Sequence, residues 1–299
     1  MRKIGFVDLD TSHPRSFAKR INAIDGFKLA GVFDRGRIKG AKETSDFCKD
    51  FNVKEYSSVK SLAEKCDGVM ILSADWETHF EDMKAIMEAG KACYCDKPLF
   101  GKMEEINSFI DICKKTEAPV FGGSGWRWNA ITQSKAKEIA EAQISDALLC
   151  VPSERFYYGI HIVEFALGLF GPGIEWVKSE KFEGNPTVVS LRHSRGMTLR
   201  LLLETGFPMS RFNVFSVDGQ EDSVAFDGDD IHNGICNNFA KLIETGISPI
   251  TPKALVESVL IMLAIEESLQ TGKRVSPSEA GHLKEQSSKD FIENYKKSI

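Results

Sequence analysis

The sequence predicts an α/β domain followed by an α+β domain with a mostly antiparallel open sheet. Up to residue 122, short apolar runs alternate with helical patterns, which is typical of a parallel sheet covered by helices on both faces. Beyond Gly122, successive strand patterns are separated by glycines and polar turns, as in an antiparallel sheet. The chain has 299 residues and 42% apolar content, which is enough for two hydrophobic cores.

The first domain is predicted to span residues 1–122. Strands are predicted over residues 3–9, 27–33, 55–56, 67–72, 91–95 and 119–122. Helices are predicted over residues 14–24, 36–51, 59–65, 78–89 and 103–115. The order of strand, turn, helix and second strand, followed by the acid Asp34, is that of a Rossmann dinucleotide-binding domain.

The second domain is predicted to span residues 123–299. Strands are predicted over residues 145–151, 174–182, 186–192, 197–204, 211–217 and 223–226, and helices over residues 230–245 and 252–271. Because residues 188–191 and 199–203 are almost continuously apolar, we expect part of this sheet to be covered on both faces, by helices or by a partner subunit. Gly122, Gly123 and Gly125 are predicted to form the crossover between the domains.

Composition excludes several classes of protein. The formal net charge of −5, without a long basic run, gives no field that favours nucleic acid. The longest apolar runs, such as residues 260–265, are too short to span a bilayer, and no signal-peptide apolar region precedes Asp8. The seven cysteines are an odd count, which favours buried thiols in a reducing cytosol. We therefore expect a cytoplasmic protein.

The pair Lys97 and Pro98 directly follows a short apolar run that is typical of a buried strand. Proline fixes its own φ and biases the preceding residue towards extended geometry, so Lys97 leaves the strand end in a defined direction. Asp96 stands beside it as a charge partner. Ligands bind at strand carboxyl ends in open α/β sheets, which makes Lys97 a candidate catalytic residue. A surface lysine in a turn is the alternative.

The motifs around this lysine resemble those of the Gfo/Idh/MocA oxidoreductases. The family pattern is an apolar strand, Pro-Asn-x-x-His, a helix, Ala-Gly-Lys and Glu-Lys-Pro. The matching motifs here are the apolar strand from Asp67, Thr78-His79, Ala89-Gly90-Lys91 and Asp96-Lys97-Pro98. The stretch 239–275 resembles the end of the family pattern. The resemblance implies an NAD(P)-dependent oxidoreductase that moves a hydride between nicotinamide and a secondary alcohol or ketone of a sugar, sugar acid or cyclitol.

The loop after the first strand departs from the dinucleotide pattern. Asp8, Asp10 and His13 stand where the residues of Gly-x-Gly-x-x-Gly would lie. A carboxylate about 4 Å from a phosphate costs about 4 kcal/mol at an effective dielectric of about 20. The hydroxyls of Thr11 and Ser12, together with His13, are predicted to replace the glycine N–H donors. NAD is the predicted cofactor and NADP is an alternative, and binding of either depends on how the loop accommodates Asp8 and Asp10.

Asp34 ends the second strand, where an acid accepts hydrogen bonds from the adenosine ribose and favours NAD over NADP. The neighbouring Arg35 and Arg37 complicate this preference, and a simple turn residue is the alternative for Asp34. The predicted cofactor-binding residues are Asp10, Thr11, Ser12, His13, Asp34, Arg35, Ser73, His79, Asp96 and Lys97.

A metal site is an alternative interpretation of the same loop. The acids and histidines available for it match no standard metal-ligand spacing; they are Asp8, Asp10, His13, Asp75 and His79. The simpler interpretation is that Thr11 or Ser12 caps the first helix before Pro14. No metal is predicted.

The segment 157–164 resembles the family's Asp-x-Gly-x-His-x-x-Asp pattern, which opens the helix that lines the active site. The resemblance implies that His161 takes the hydroxyl proton while Lys97 polarises or protonates the same oxygen. Tyr157 and Glu164 stand in place of the two aspartates, and Tyr157 can act as an acid. The predicted catalytic residues are Lys97, His161 and Tyr157, and the predicted substrate-binding residues are Lys97, Arg127, Trp128, Tyr158, His161 and Glu164.

Several alternatives stay open for these residues. Arg127 matches a family arginine and can bind a carboxylate, but packing against its neighbouring tryptophans is an equal alternative. A lone helical histidine is more often structural than catalytic, although the motif favours catalysis for His161. His193, His232 and His282 carry no motif and are predicted to be surface or structural residues.

Three functions remain as hypotheses. The first is the NAD(P)-dependent oxidoreductase acting on a polyol or sugar-like small molecule. The second is a sensor or regulator that has lost dinucleotide binding, and the third is a non-redox lyase or isomerase. No nucleic-acid or membrane partner is predicted, and a homodimer or homotetramer through the C-terminal sheet is expected.

Overall fold

The computed structural model describes residues 1–150, 155–183, 186–205, 213–224, 228–279 and 285–298. The described strands are β1 (Arg2–Val7), β2 (Phe27–Phe33), β3 (Lys54–Glu55), β4 (Gly68–Ile71), β5 (Ala92–Cys95), β6 (Val120–Gly122), β7 (Ile144–Cys150), β8 (Ile174–Lys181), β9 (Thr187–His193), β10 (Thr198–Leu203), β11 (Asn213–Val217) and β12 (Gln220–Ser223).

The described α-helices are α1 (His13–Ala23), α2 (Gly40–Phe51), α3 (Val59–Ala63), α4 (His79–Glu88), α5 (Met103–Thr116), α6 (Gly125–Trp128), α7 (Ala130–Glu138), α8 (Ile160–Phe170), α9 (Gly228–Thr245), α10 (Pro252–Thr271) and α11 (Lys289–Ser298). Short 3₁₀ helices cover Trp76–Thr78 and Pro277–Glu279.

The chain divides into two compact units, and each is formed from separate stretches of sequence. The first unit contains Met1–Gly123, His232–Leu255 and Ser287–Ile299, and the second contains Ser124–Ile231 and Val256–Gln286. The predicted domains, 1–122 and 123–299, differ from these units because two later segments join the first unit. Their apolar residues explain this, since Phe239 and Ile243 of α9 lie close against Gly68 of β4.

The first unit is built on a parallel six-stranded sheet with the order β3-β2-β1-β4-β5-β6. Its central strands are apolar and fully buried, as expected for a sheet covered on both faces. Five residues are in register at its carboxyl edge: Phe33, Val7, Ile71, Cys95 and Gly122. The residues that follow these strand ends therefore meet at one edge, where open α/β sheets bind ligands.

The second unit contains a six-stranded sheet with the order β12-β11-β7-β10-β9-β8. All of its pairs are antiparallel except β10 with β7. Residues of β9 alternate between buried and half-exposed, so one face of this strand is only partly covered within the chain. The described helices therefore cover that face incompletely, and coverage by a partner subunit stays a prediction.

The predicted fold class is confirmed, and so are most of the elements. β2 and α10 have the predicted bounds. The last described strand lies at Gln220–Ser223, after a turn at Asp218 and Gly219 with positive φ, and so begins three residues before the predicted strand 223–226. The helices α6, α7 and α11 were not predicted. Residues 151, 211–212, 225–226 and His282 lie outside the described residues. Within the described parts of the chain, no helix is long and apolar enough to cross a membrane.

Candidate active site

The chain turns at Asp8, directly after β1. Asp8 has a φ of 62°, a conformation that glycine adopts most readily. Its side chain is 2% exposed, and its two carboxylate oxygens accept hydrogen bonds from the Arg35 backbone N–H at 2.8 Å and from Arg35 Nη1 at 2.6 Å. Asp8 therefore takes the backbone conformation of the first loop glycine and directs its charge into the fold, onto Arg35.

Arg35 also joins a second buried carboxylate. Arg35 Nη2 lies 2.6 Å from Asp82 Oδ1 on α4. Burial raises the pKa of both Asp8 and Asp82, and the charge and hydrogen bonds of Arg35 offset part of that rise. Asp82 Oδ2 has no hydrogen-bond partner among the described residues. Arg35 was predicted to contact a cofactor, but its guanidinium is committed to these two acids.

Asp10, in the loop after β1, is buried against the residues that follow the neighbouring strand β4. Its Oδ2 accepts hydrogen bonds from the Ala74 backbone N–H at 2.9 Å and from Ser73 Oγ at 3.3 Å. Burial, followed by the nearby Asp8 charge, raises the pKa of Asp10 to about 7. Asp10 is therefore protonated in a large fraction of molecules at neutral pH, and the cost of a phosphate beside it is smaller than the sequence predicted.

The start of α1 offers hydroxyl groups and few backbone donors. Ser12 is the N-cap residue, but its side chain makes no capping hydrogen bond. Thr11 Oγ1 accepts a hydrogen bond from the His13 backbone N–H at 3.1 Å, and Pro14 has no N–H. The hypothesis that Thr11 or Ser12 satisfies the helix start is therefore supported for Thr11 only, while Ser12 remains exposed.

His13 pairs with the residue before Lys97. His13 Nδ1 lies 2.7 Å from Asp96 Oδ2, and Asp96 Oδ1 accepts hydrogen bonds from the Lys97 backbone N–H at 2.9 Å and the Tyr94 hydroxyl at 3.3 Å. Burial alone would raise the pKa of Asp96, but His13 and then Lys97 hold it below its usual range. The ring of His232 lies 4.9 Å from that of His13. Asp96 is therefore an ionised anchor for the main chain at Lys97.

Lys97 itself is buried, with 2% of its surface exposed, and a cis peptide bond joins it to Pro98. A surface lysine in a turn, the alternative interpretation, is therefore wrong. The residue follows β5 at the carboxyl edge of the sheet, as predicted.

Asp34 lies half-buried after β2, at the same edge. Its Oδ1 accepts a hydrogen bond from the Gly36 backbone N–H at 3.0 Å, and its Oδ2 accepts one from the Thr44 hydroxyl at 2.6 Å. Each carboxylate oxygen can accept a further hydrogen bond. Asp34 therefore serves as a turn residue, the alternative interpretation, and still has acceptor capacity for a ribose.

His79 has a positioning role. It is fully buried, and its two ring nitrogens lie 3.1 Å from the carbonyl oxygens of Leu99 and Ser73. The ring joins the backbone after β4 to the backbone beyond Pro98, and contact of His79 with a cofactor stays a prediction. Ser73 is also buried, and its hydroxyl donates to Asp10.

The second unit holds His161 near the start of α8. His161 Nδ1 lies 2.6 Å from Ser124 Oγ, and the indole of Trp126 lies 5.5 Å from the imidazole ring. His161 is half-exposed, whereas most of α8 is buried. The helix begins at Ile160, so Tyr157, which would lie one turn before His161 if the whole segment 157–164 were helical, precedes the helix. Tyr157 lies in the preceding turn, where Gly159 approaches the Arg155 carbonyl so closely that a Cβ would clash.

Arg127 and Glu164 form a buried ion pair. Arg127 Nη1 lies 3.1 Å from Glu164 Oε2, and the side chains are 4% and 0% exposed. Burial raises the pKa of Glu164, while the Arg127 charge lowers it in part. Arg127 also stacks on Trp128, with its Cζ 5.7 Å from the ring centre. Packing, the alternative interpretation for Arg127, is therefore supported, and substrate contacts by Arg127, Trp128 and Glu164 stay predictions.

The remaining predicted residues of this segment are aromatic. Tyr157 is buried and Tyr158 is half-exposed, and their ring centres are 5.0 Å apart in an edge-to-face arrangement. The ring of Tyr158 lies 6.4 Å from His161. Tyr158 is therefore better placed than Tyr157 to meet a molecule bound at His161.

Sequence reasoning missed several residues that organise the two units. Asp82 binds Arg35, and Ser124 binds His161. The ring of His232 lies beside that of His13. An acid on the buried face of α4 and a serine before a short helix were visible indications of the first two. His232 offered none, because its partner is more than two hundred residues away in the sequence. Among the described residues, no group of three or more His, Cys, Asp or Glu is arranged to hold a metal ion.

A comparison with known protein families tests the resemblance to the Gfo/Idh/MocA oxidoreductases. Residues 9–124 match the Gfo/Idh/MocA family, described as an oxidoreductase family with an NAD-binding Rossmann fold. Residues 9–124 are therefore similar to the NAD-binding Rossmann domain of this family. The match ends at Ser124, where the chain enters the second unit. The resemblance predicted from Lys97 and its neighbours is thereby confirmed for this part of the chain.

Solved structures extend the likeness of fold to nearly the whole chain. Scyllo-inositol dehydrogenase from Lactobacillus casei has a TM-score of 0.80 at 13% identity, covering 93% of this chain and 98% of that one. An Agrobacterium radiobacter oxidoreductase, solved with NAD+, L-tartaric acid and magnesium, has a TM-score of 0.78 at 12% identity, covering 93% of this chain and 98% of that one. Myo-inositol 2-dehydrogenase from Lactobacillus plantarum has a TM-score of 0.77 at 14% identity, covering 92% of this chain and 99% of that one.

The side chains at the carboxyl edge fit a dinucleotide with altered phosphate donors. Asp8 and Asp10, which opposed it in the sequence, direct their carboxylates into the fold. Ser12 is exposed beside the start of α1, and Asp34 retains acceptor capacity for a ribose. Contacts of Ser12 and Asp34 with a dinucleotide stay predictions.

Proposed function

We propose that this chain is an NAD(P)-dependent oxidoreductase that acts on a secondary alcohol or ketone of a sugar, sugar acid or cyclitol. The observation that carries the proposal is the inward orientation of Asp8 and Asp10. Asp8 is paired with Arg35 at 2.6 Å, and the pKa of Asp10 is raised to about 7. The two charges that argued against a pyrophosphate are thus largely removed from it.

Lys97 and His161 are the proposed acid–base residues. A bound nicotinamide supplies or accepts the hydride. A cationic Lys97 at the strand end lowers the energy of the developing alkoxide, and His161 accepts or returns the hydroxyl proton. Asp96 fixes the main chain at Lys97, and Ser124 orients the imidazole of His161. Tyr157, Tyr158 and the Arg127–Glu164 pair shape the proposed substrate side.

One observation favours a second candidate function, in which this chain does not bind a dinucleotide and acts as a sensor or as a non-redox enzyme. The His13 N–H donates to Thr11, and Pro14 provides no N–H, so α1 begins with fewer phosphate donors than a glycine loop. The carboxylate pairs of Asp8 and Asp96 also stabilise the edge without a ligand.

Binding decides between the two. The purified protein is first examined by mass spectrometry for a copurified nucleotide and then titrated with NADH and NADPH in a calorimeter. Micromolar binding supports the oxidoreductase, and a polyol and sugar panel monitored by NADH absorbance follows, with Lys97→Met as the inactive variant and Lys91→Met as its control. No binding at millimolar cofactor, with none copurified, would refute it. Assembly as a homo-oligomer and a cytoplasmic location stay predictions.

A further inference from the structure

The segment after β2 carries three cations: Arg35, Arg37 and Lys39. In Rossmann domains, an arginine near this position accommodates the 2′-phosphate that distinguishes NADP from NAD. The sequence of this segment therefore leaves the choice of cofactor open, because Asp34 favours NAD while its cationic neighbours favour NADP.

Each of these three cations is bonded to another part of the first unit. Arg37 Nη1 lies 2.6 Å from Asp75 Oδ2, and Lys39 Nζ lies 2.5 Å from the Thr11 carbonyl oxygen. The side chain of Arg37 is 49% exposed, so its ion pair is screened by water. The side chain of Arg35 is 19% exposed and is held from two sides.

The hold on Arg35 depends on a side chain where the dinucleotide pattern has glycine. Both oxygens of Asp8 bond Arg35, one to its backbone N–H and one to its guanidinium. Asp82 binds the other end of the guanidinium at 2.6 Å. A guanidinium held between two carboxylates has two of its five N–H donors occupied and its charge compensated, so it is less available to a phosphate.

We propose that Asp8, with Asp82, withholds Arg35 from the 2′-phosphate and makes this chain select NAD over NADP. The inference rests on the proposed dinucleotide binding and names Asp8 as its specificity-determining residue. Asp34 acts in the same direction, because its carboxylate lies at the end of β2 and repels an additional phosphate. Replacement of the first glycine thus has a function beyond accommodating the turn.

The test is a set of calorimetric titrations with NADH and NADPH on four variants. They are Asp8→Gly, Asp82→Asn, Asp8→Gly with Arg35→Ala, and Asp67→Asn as the control. Asp67 pairs with Arg2 in the first unit, so its variant makes a similar change of charge away from Arg35. Thermal unfolding by circular dichroism shows which variants are folded, and Asp82→Asn tests the same clamp from its other side.

We expect the wild type and Asp67→Asn to bind NADH at least about tenfold more tightly than NADPH. Asp8→Gly should reduce this ratio about tenfold by strengthening NADPH binding, and adding Arg35→Ala should restore it. NADH binding with equal NADPH affinity in the wild type, or a ratio that neither Asp8→Gly nor Asp82→Asn changes, would overturn the inference alone. No binding of either nucleotide to any variant would overturn the proposed function as well.

Discussion

The loop of residues 8–13 and the segment of residues 157–164 both depart from the Gfo/Idh/MocA pattern, but in different ways. In the loop, acids replace glycines, and each introduced side chain is bonded to a distant part of the first unit. In the segment, one aspartate becomes the buried Tyr157 and the other becomes Glu164, paired with Arg127. The comparison teaches that the loop has a rebuilt charge network, whereas the segment has rebuilt packing around a retained histidine.

Substitution of Lys97 should have the largest effect on activity, because the proposed acid–base chemistry depends on this residue whatever the role of the loop or of the segment. Lys97→Met should reduce kcat by about 100-fold to 10,000-fold, the range typical of a general acid. NADH affinity, measured by calorimetry, should change by only a few-fold. A variant that turns over like the wild type would show that the retained strand-end lysine has no catalytic role, and that both departures belong to a protein of different function.

Arg127→Met tests whether the segment depends on its buried ion pair. Removing one partner leaves Glu164 uncompensated, at a cost of about 3–5 kcal/mol in the free energy of unfolding. Urea denaturation measures this loss. The double variant Arg127→Met with Glu164→Leu removes both charges and should recover most of the stability. Equal destabilisation in the single and double variants would show that packing and not charge dominates here.

Asp10 tests the loop through pH. Because its pKa is about 7 in the folded protein, against an ordinary value of 3.8, the folded state binds the proton more tightly than the unfolded state. Folding stability should therefore fall as pH rises from about 4 to 7, by about 2 kcal/mol after allowance for water at the loop. Asp10→Asn keeps the acceptor for Ala74 and removes the titration, so its stability relative to the wild type should rise over this window. Parallel pH profiles would contradict the assignment.

His13→Ala gives the smallest expected effect. It removes the hydrogen bond on Asp96 Oδ2, and a bond to a charged acceptor is worth about 1.5 kcal/mol. The unfolding free energy should fall by that amount, and kcat should fall more than KM changes, because His13 positions the backbone of Lys97 through Asp96. Partial rescue of kcat by His13→Gln, which can still donate, is the distinguishing measurement. A KM effect alone would place His13 on a ligand.

The same contrast explains how far the sequence could be interpreted. Periodicity and turn residues are local, so they predicted the bounds of β2 and α10 and the alternation of the first unit. The bonding of Asp8 was beyond prediction, because Arg35 and Asp82 lie 27 and 47 residues from their partners along the chain. From the sequence, Asp8 opposed a phosphate, whereas the fold gives its charge a buried partner.

The helix α11 was missed for a related reason. It has no buried residue, and half of its ten residues are charged, so it offers few apolar side chains from which a helix could be predicted. In the structure, Phe291 of this helix lies 5.9 Å from Trp76, and the Ser288 hydroxyl donates to Asp75. These long-range contacts place the helix, and no local pattern could supply them.

The scattered composition of the first unit has a consequence for how the protein is made. The ribosome releases residues 1–123 well before 232–255 and 287–299, which complete the same unit. Until then, the face of β4 at Gly68 lacks Phe239 and Ile243, and Trp76 lacks Phe291. During synthesis, the sheet of the first unit therefore exposes apolar surface, and such surface is prone to aggregation and is recognised by chaperones. A fragment ending at residue 123 should for this reason aggregate when expressed alone.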